Sequence, residues 1–276
     1  MSGSIRNRAI GRVRPVHPAS LVPALLCFLL AASAAVAADP ERPSPLKSGA
    51  EFVSDDLKRL QADDFANPGM LWVARGAKLW SEAAGASGRS CAACHGDAAK
   101  SMRGVAAGYP RVDAGAARLV NLEGRINLCR ERNQLAPALE HESGDLLALA
   151  TYVAHQSQGV RVSVALDLQN RRDFERGRER YHLRIGQMNL ACTHCHDRNW
   201  GRKLAGETIS QGHGNAFPAY RLEWQALGSL QRRIRACYYG LRAEMPPYGS
   251  QELLELELYL AWRGSGLPVE APGVRR

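Results

Sequence analysis

Two short stretches of the chain, Cys91-Ala-Ala-Cys94-His95 and Cys192-Thr-His-Cys195-His196, each set two thiols and an imidazole at the spacing that attaches a c-type haem. The two cysteines add across the vinyl groups of one porphyrin, and the histidine that follows swings under the ring as an iron ligand. A zinc site or a redox disulfide also uses a CxxC pair, but neither calls for a histidine directly after the second cysteine in both copies. The expectation is two covalently bound haem c groups. One hangs on Cys91 and Cys94 with His95 as proximal ligand, the other on Cys192 and Cys195 with His196.

The segments that must hold these groups repeat. Gly76, Trp80 and Cys91 reappear as Gly177, Tyr181 and Cys192, a constant offset of 101. Tyr109-Pro110, Leu122, Arg125-Ile126 and Cys129 reappear as Phe217-Pro218, Leu230, Arg233-Ile234 and Cys237, now at an offset of 108. The second half therefore carries seven extra residues between His196 and Phe217, in a segment containing Lys203 and Gly212-His213-Gly214. Each half closes on a leucine-rich stretch. Leu253, Leu256 and Leu260 fall at helical spacing behind Ser250 as N-cap, with Glu252 in the first turn, and these leucines are core. Helix, CxxCH, loop, helix and closing helix predict an all-α protein of two tandem cytochrome c-like domains related by an internal repeat, at 48–158 and 166–270. Residues 159–170, with alternating Val160, Val162 and Val164, predict an extended linker, and the tail after Pro268 is expected to be less ordered.

Residues 1–38 read as a signal peptide: Arg6, Arg8, Arg12 and Arg14, an apolar run at 21–30, then small residues ending in Ala35-Val36-Ala37. The apolar run is too short to span a bilayer, and no later segment could, so a periplasmic protein without a membrane span is expected. Losing the leader lowers the formal charge from +9 to roughly +5. That mild excess does not imply nucleic acid; it suits small anions or acidic partner proteins.

The remaining question is the far side of each iron. Electron-transfer c-haems usually take methionine there. Met245, in Glu-Met-Pro-Pro-Tyr before the closing helix, stands where such a ligand is offered, but the matching stretch Gln134-Leu-Ala-Pro137 has none. What the halves share is Leu-x-x-Arg-Ile-x-x-Cys, so Cys129 and Cys237 are the candidate thiolate ligands. A buried core cysteine at each position, or a Cys129–Cys237 disulfide, is the structural alternative. Thiolate ligation lowers the potential and makes a poor relay, which points to sulfur chemistry at one of the two cysteines. Arg233 lies four residues before Cys237, on the same face of a helix, where a guanidinium could orient an oxoanion and hold the sulfur deprotonated. Arg125 stands at the same distance from Cys129. The insertion with Lys203 and His213, and the cluster Arg232, Arg233 and Arg235, assign catalysis to the second half.

From about residue 50 to 265 the chain resembles SoxA, the dihaem c-type cytochromes of bacterial sulfur oxidation. The diagnostic stretches are Ile209-Ser-Gln-Gly-His213, Phe217-Pro-Ala-Tyr-Arg-Leu-Glu-Trp-Gln225 and Leu230-Gln-Arg-Arg-Ile-Arg-Ala-Cys237. The resemblance implies an L-cysteine S-thiosulfotransferase that pairs with a smaller SoxX-like monohaem cytochrome. It would couple thiosulfate oxidatively to a cysteine of the carrier SoxY, passing two electrons through haem to a soluble c-type cytochrome. It also implies His95 and Cys129 as axial ligands of the first haem, and His196 and Cys237 of the second. Cys237 would be the active cysteine, able to carry a persulfide, and Arg233 the substrate-facing cation. The alternative is a periplasmic dihaem electron carrier without bond-making activity, the reading that Met245 keeps open.

Overall fold

Side chains that can take up a free backbone N–H start most of the helices. The computed structural model describes Gly3 and residues 41–276; the leader expected over 1–38 lies, Gly3 apart, outside them. The first half runs α1 (Asp55–Ala62), α2 (Met70–Ser81), α3 (Cys91–His95), α4 (Ala98–Ser101), β1 (Arg111–Asp113), β2 (Arg118–Val120), α5 (Leu122–Cys129) and α6 (Gly144–His155). The second runs α7 (Arg171–His182), α8 (Cys192–His196), β3 (Lys203–Leu204), β4 (Glu207–Thr208), β5 (Ala219–Arg221), β6 (Ala226–Gly228), α9 (Leu230–Gly240), α10 (Gln251–Arg263) and β7 (Gly273–Arg275). Asn121 caps α5 and Ser229 caps α9, accepting from Gly124 N at 2.9 Å and Arg232 N at 3.1 Å. Ser143 caps α6 and Ser250 caps α10 in the same way.

Two glycines set how closely the helices cross. A Cβ on Gly76 of α2 would stand 2.2 Å from the Ala148 carbonyl oxygen of α6, and one on Gly177 of α7 would stand 2.0 Å from that of Glu255 on α10. Backbone therefore meets backbone at both crossings, which no side chain larger than hydrogen permits. The crossings bring down Trp80 and Tyr181, both buried, onto the haem motifs. Trp80 Nε1 donates to Gly96 O at 3.0 Å, and the Tyr181 hydroxyl donates to Asp197 Oδ1 at 2.7 Å, each one residue past its CxxCH. Leu253, Leu256 and Leu260 are buried in the second core, as their spacing requires.

The all-α expectation is corrected. Among the described residues helices predominate, but three small sheets are present: β1–β2, β3–β4, and β6–β5–β7 with β7 parallel to β5. Strands of two or three residues are too short to show an alternating pattern, so the sequence hides them. The tail is also corrected. Val274 is fully buried, and Asn67 Nδ2 donates to Pro272 O at 3.0 Å while Val274 N donates to Gln61 Oε1 at 3.0 Å. The extended linker finds its partners in the same segment: Val162 N donates to Leu267 O at 2.8 Å, and Val269 N donates to Val160 O at 2.8 Å. No helix among the described residues is long and apolar enough to cross a membrane.

A cavity of about 100 Å³ is lined by Tyr109, Pro110 and Leu122 and by their counterparts Phe217, Pro218 and Leu230. Glu257 projects there from α10, 4% exposed, with Oε2 lacking a hydrogen-bond partner among the described residues. Burial, and then the charge of Glu123, push its carboxyl well above the ordinary range. Burial, and then Glu142, raise Glu123 to about 7. A carboxyl with a raised folded pKa keeps its full stability contribution below its unfolded pKa and loses it as pH rises through the folded one. Stability should therefore fall from about pH 4.5 upward, through about pH 7. Glu257→Gln is expected to melt at a higher temperature than the native protein at pH 8, the gap closing below pH 5, in melts followed by circular dichroism.

Candidate active site

The Cys237 site is built on α9, entered through the Ser229 cap and packed down by buried Ile234. One helical turn separates Arg233 from Cys237, so both side chains leave the same face. Opposite them stands His196, at the end of α8. Its Nδ1 faces Ser210 O at 2.8 Å; that pairing fixes the proton on Nδ1 and leaves Nε2 to look away from the backbone. The segment carrying Ser210 can pass over the imidazole because Gly212 has φ +77° and no side chain: a Cβ there would lie 2.8 Å from the ring. His196, Cys192 and Cys195 all lie within electrostatic reach of the Cys237 sulfur.

These residues fit a c-type haem. Two motif thiols, an imidazole oriented by a backbone carbonyl and a sulfur facing that imidazole are the donor set a thiolate-ligated c-haem needs. In the first half Cys129 lies within electrostatic reach of Cys91, and the His95 ring is 5.7 Å from Trp80. Each lone cysteine thus faces the motif of its own half, and the six described cysteines are free thiols with no disulfide among them. The Met245 side chain is 41% exposed, and its carbonyl receives Arg235.

Electrostatics single out Cys237. Burial alone would raise its thiol pKa, but the neighbouring His196 imidazole, the charge of Arg233 and, more weakly, that of Arg221 together outweigh it and bring the thiol below its ordinary value. Burial pushes Cys192 the other way, up to about 12, as expected of a thiol without such partners.

The basic cluster divides by partner. Arg232 lies over the Trp224 ring at 4.3 Å, and Arg235 lies over Tyr248 at 4.3 Å while donating to the Pro246 carbonyl. Arg233 makes no ion pair among the described residues. Of the three it alone has neither a ring contact nor a side-chain hydrogen bond among the described residues. The insertion contributes differently from expectation: Lys203 is exposed on β3, and His213 is buried with Nε2 3.3 Å from Gln211 Oε1. Burial, then Arg263, depress His213 to about 3, so it is a neutral packing residue. Arg221, on β5, was not anticipated; it is 4% exposed and reaches the site from a strand that only the fold brings there.

Comparison with known proteins agrees with this architecture. The family described as SoxA/TsdA, cytochrome c domain, matches residues 75–162. The chain is 44% identical to the L-cysteine S-thiosulfotransferase subunit SoxA of Pseudaminobacter salicylatoxidans, over 83% of this chain and 80% of that one. It is 37% identical to the protein of the same name from Rhodovulum sulfidophilum, over 85% and 82%. Among solved structures it superposes on the crystal structure of SoxXA from P. pantotrophus with a TM-score of 0.81 and 36% identity, covering 84% of this chain and 87% of that one. With likeness of this extent in both sequence and fold, and two CxxCH helices each facing a lone cysteine, the chain belongs to the SoxA family.

Proposed function

We propose that this protein is the catalytic subunit of an L-cysteine S-thiosulfotransferase, conjugating thiosulfate oxidatively to a cysteine of a SoxY-type carrier protein. The observation that carries the reading is a half-buried thiol, Cys237, one helical turn along α9 from a guanidinium, Arg233, that makes no ion pair among the described residues. The names of the relatives support it.

Two cytochrome c-like domains, at 48–158 and 166–270, each hold one covalent haem in this reading. Cys91 and Cys94 would hold the first, with His95 and Cys129 as its iron ligands; Cys192 and Cys195 would hold the second, with His196 and Cys237 as its iron ligands. When bound, the haem would supply a one-electron acceptor, with a soluble c-type cytochrome as final acceptor. Arg233 docks the thiosulfate dianion by charge-assisted hydrogen bonds and turns its outer sulfur toward Cys237. The sulfur of Cys237, able to carry a persulfide, forms an S–S bond to that outer sulfur as two electrons depart. A carrier thiolate then takes the thiosulfonate group by exchange, and Cys237 leaves as the thiolate or persulfide it began as. Arg233, one helical turn away, would stabilise the departing sulfur as a thiolate in that step.

The SoxXA likeness supports a SoxX-like monohaem cytochrome as partner subunit, and the expected leader supports the periplasm as the compartment. The test is thiosulfate-dependent reduction of cytochrome c by the haem-loaded pair, with carrier mass followed in parallel. Reduction that requires the carrier cysteine and leaves it as the S-thiosulfonate is expected. Electron exchange with an unmodified carrier would reduce the protein to an electron carrier.

A further inference from the structure

The two halves place opposite charges at one equivalent position, and this decides which arginine is free. The hairpins β1–β2 and β5–β6 share their register: Asp113 pairs with Arg118 as Arg221 pairs with Ala226, all at the 108-residue offset. Their turns match too, with Ala117 and Gln225 both at φ 48°. Each hairpin delivers its third residue to the helix that bears the lone cysteine. In the first half that residue is Asp113. Its carboxylate holds Arg125, the counterpart of Arg233, at 2.8 Å, and Arg132 at 3.1 Å. In the second half it is Arg221, which cannot hold Arg233. Arg221 instead binds Glu207 at 3.2 Å and Glu223 at 3.0 Å, with its guanidinium 5.0 Å from the Trp224 ring centre. Glu207 belongs to β4, inside the segment that carries the seven extra residues.

We infer that Arg221 is a positioning residue for thiosulfate binding. It occupies Glu207 and Glu223, the carboxylates that would otherwise neutralise Arg233, and so keeps Arg233 open to the anion. The insertion then has a role: it supplies one of the two counter-charges that let a second guanidinium be buried beside the first. Asp113 does the reverse in the first half, pairing Arg125 and closing that half to anions. The inference rests on the proposed thiosulfate reaction at Cys237.

The test is steady-state kinetics of the haem-loaded protein with its partner subunit, varying thiosulfate. Arg221→Met is expected to raise KM for thiosulfate roughly tenfold, the scale of one lost charge-assisted hydrogen bond, with kcat within about twofold. Adding Glu207→Gln and Glu223→Gln to that variant is expected to recover most of the loss. Arg221→Lys, which keeps the charge, is expected to stay within about threefold of the native KM. An unchanged KM in Arg221→Met, no recovery in the triple variant, or a Lys variant as weak as Met overturns the inference. If Arg221→Met does not load haem, the Glu207→Gln, Glu223→Gln double variant decides alone: a KM at or below native supports the inference, and a raised one sinks it. Failure here is distinct from failure of the thiosulfate reaction, because the latter shows as normal turnover in Cys237→Ala.

Discussion

Cys237→Ala is expected to keep both haems attached while thiosulfate-dependent cytochrome c reduction falls on the order of a thousandfold or more. In the proposed arrangement attachment would depend on Cys91, Cys94, Cys192 and Cys195, none of which the substitution touches. The folding cost is small, since one sulfur atom is removed from a helix held by its Ser229 cap and by buried Ile234. In the proposed reaction the chemical cost is total, because the sulfur would be the bonding atom and no other described thiol shares its surroundings. Cys192, the neighbouring thiol, is pushed up to about 12 rather than down. Haem stoichiometry from the pyridine haemochrome, the visible spectrum and turnover should be measured on the same preparation. A spectral change confined to one haem, with full haem content and no turnover, is the expected combination. Normal turnover would remove Cys237 from the mechanism.

Gly177→Ala is expected to lower stability by about 3 kcal/mol, roughly 6–12 °C in Tm for a domain of this size. The new methyl would stand 2.0 Å from the Glu255 carbonyl oxygen, which belongs to helix backbone and cannot swing aside. The α7–α10 crossing must widen, and every buried ring wedged beneath it loosens: Tyr181 and Tyr259, with centroids 5.2 Å apart, and Phe174 and Tyr259, 5.6 Å apart. Gly240→Ala is the control. It lies at the end of α9 with nothing within 4 Å of a new Cβ, so the change should be neutral or slightly stabilising. Equal melting temperatures for the two variants would show that the close crossing carries no weight.

Features written in local spacing were legible in the sequence. The CxxCH motifs, the Ser250 cap, the leucines of α10 and the four-residue step from Arg233 to Cys237 each depend on residues within two helical turns of one another. The duplicated glycines were visible as a pattern, although their reason, a backbone-to-backbone crossing, appears only in three dimensions. What stayed hidden depends on pairing across the chain. Arg221 meets Glu207 through two hairpins of two and three residues, whose strands are too short for any periodicity. The tail gave no signal of its fate, because Pro268, Pro272 and Gly273 read as irregular until Gly273–Arg275 is seen lying beside β5. His213 and Lys203 stood out by type within the insertion, yet the working residue of that segment is Glu207.

The tail and the linker have a consequence for anyone dissecting this molecule into one-haem pieces. Residues 160–162 hydrogen-bond to 267–269, and the strand that flanks β5 is anchored by Gln61 and Asn67 from the opposite end of the sequence. A cut between the two repeats would strip each fragment of backbone partners owned by the other, baring amides and carbonyls that now have no need of water. The duplicated halves are clasped rather than strung, so excision is a poor route to either haem by itself, and each is better studied by point substitution in the intact chain.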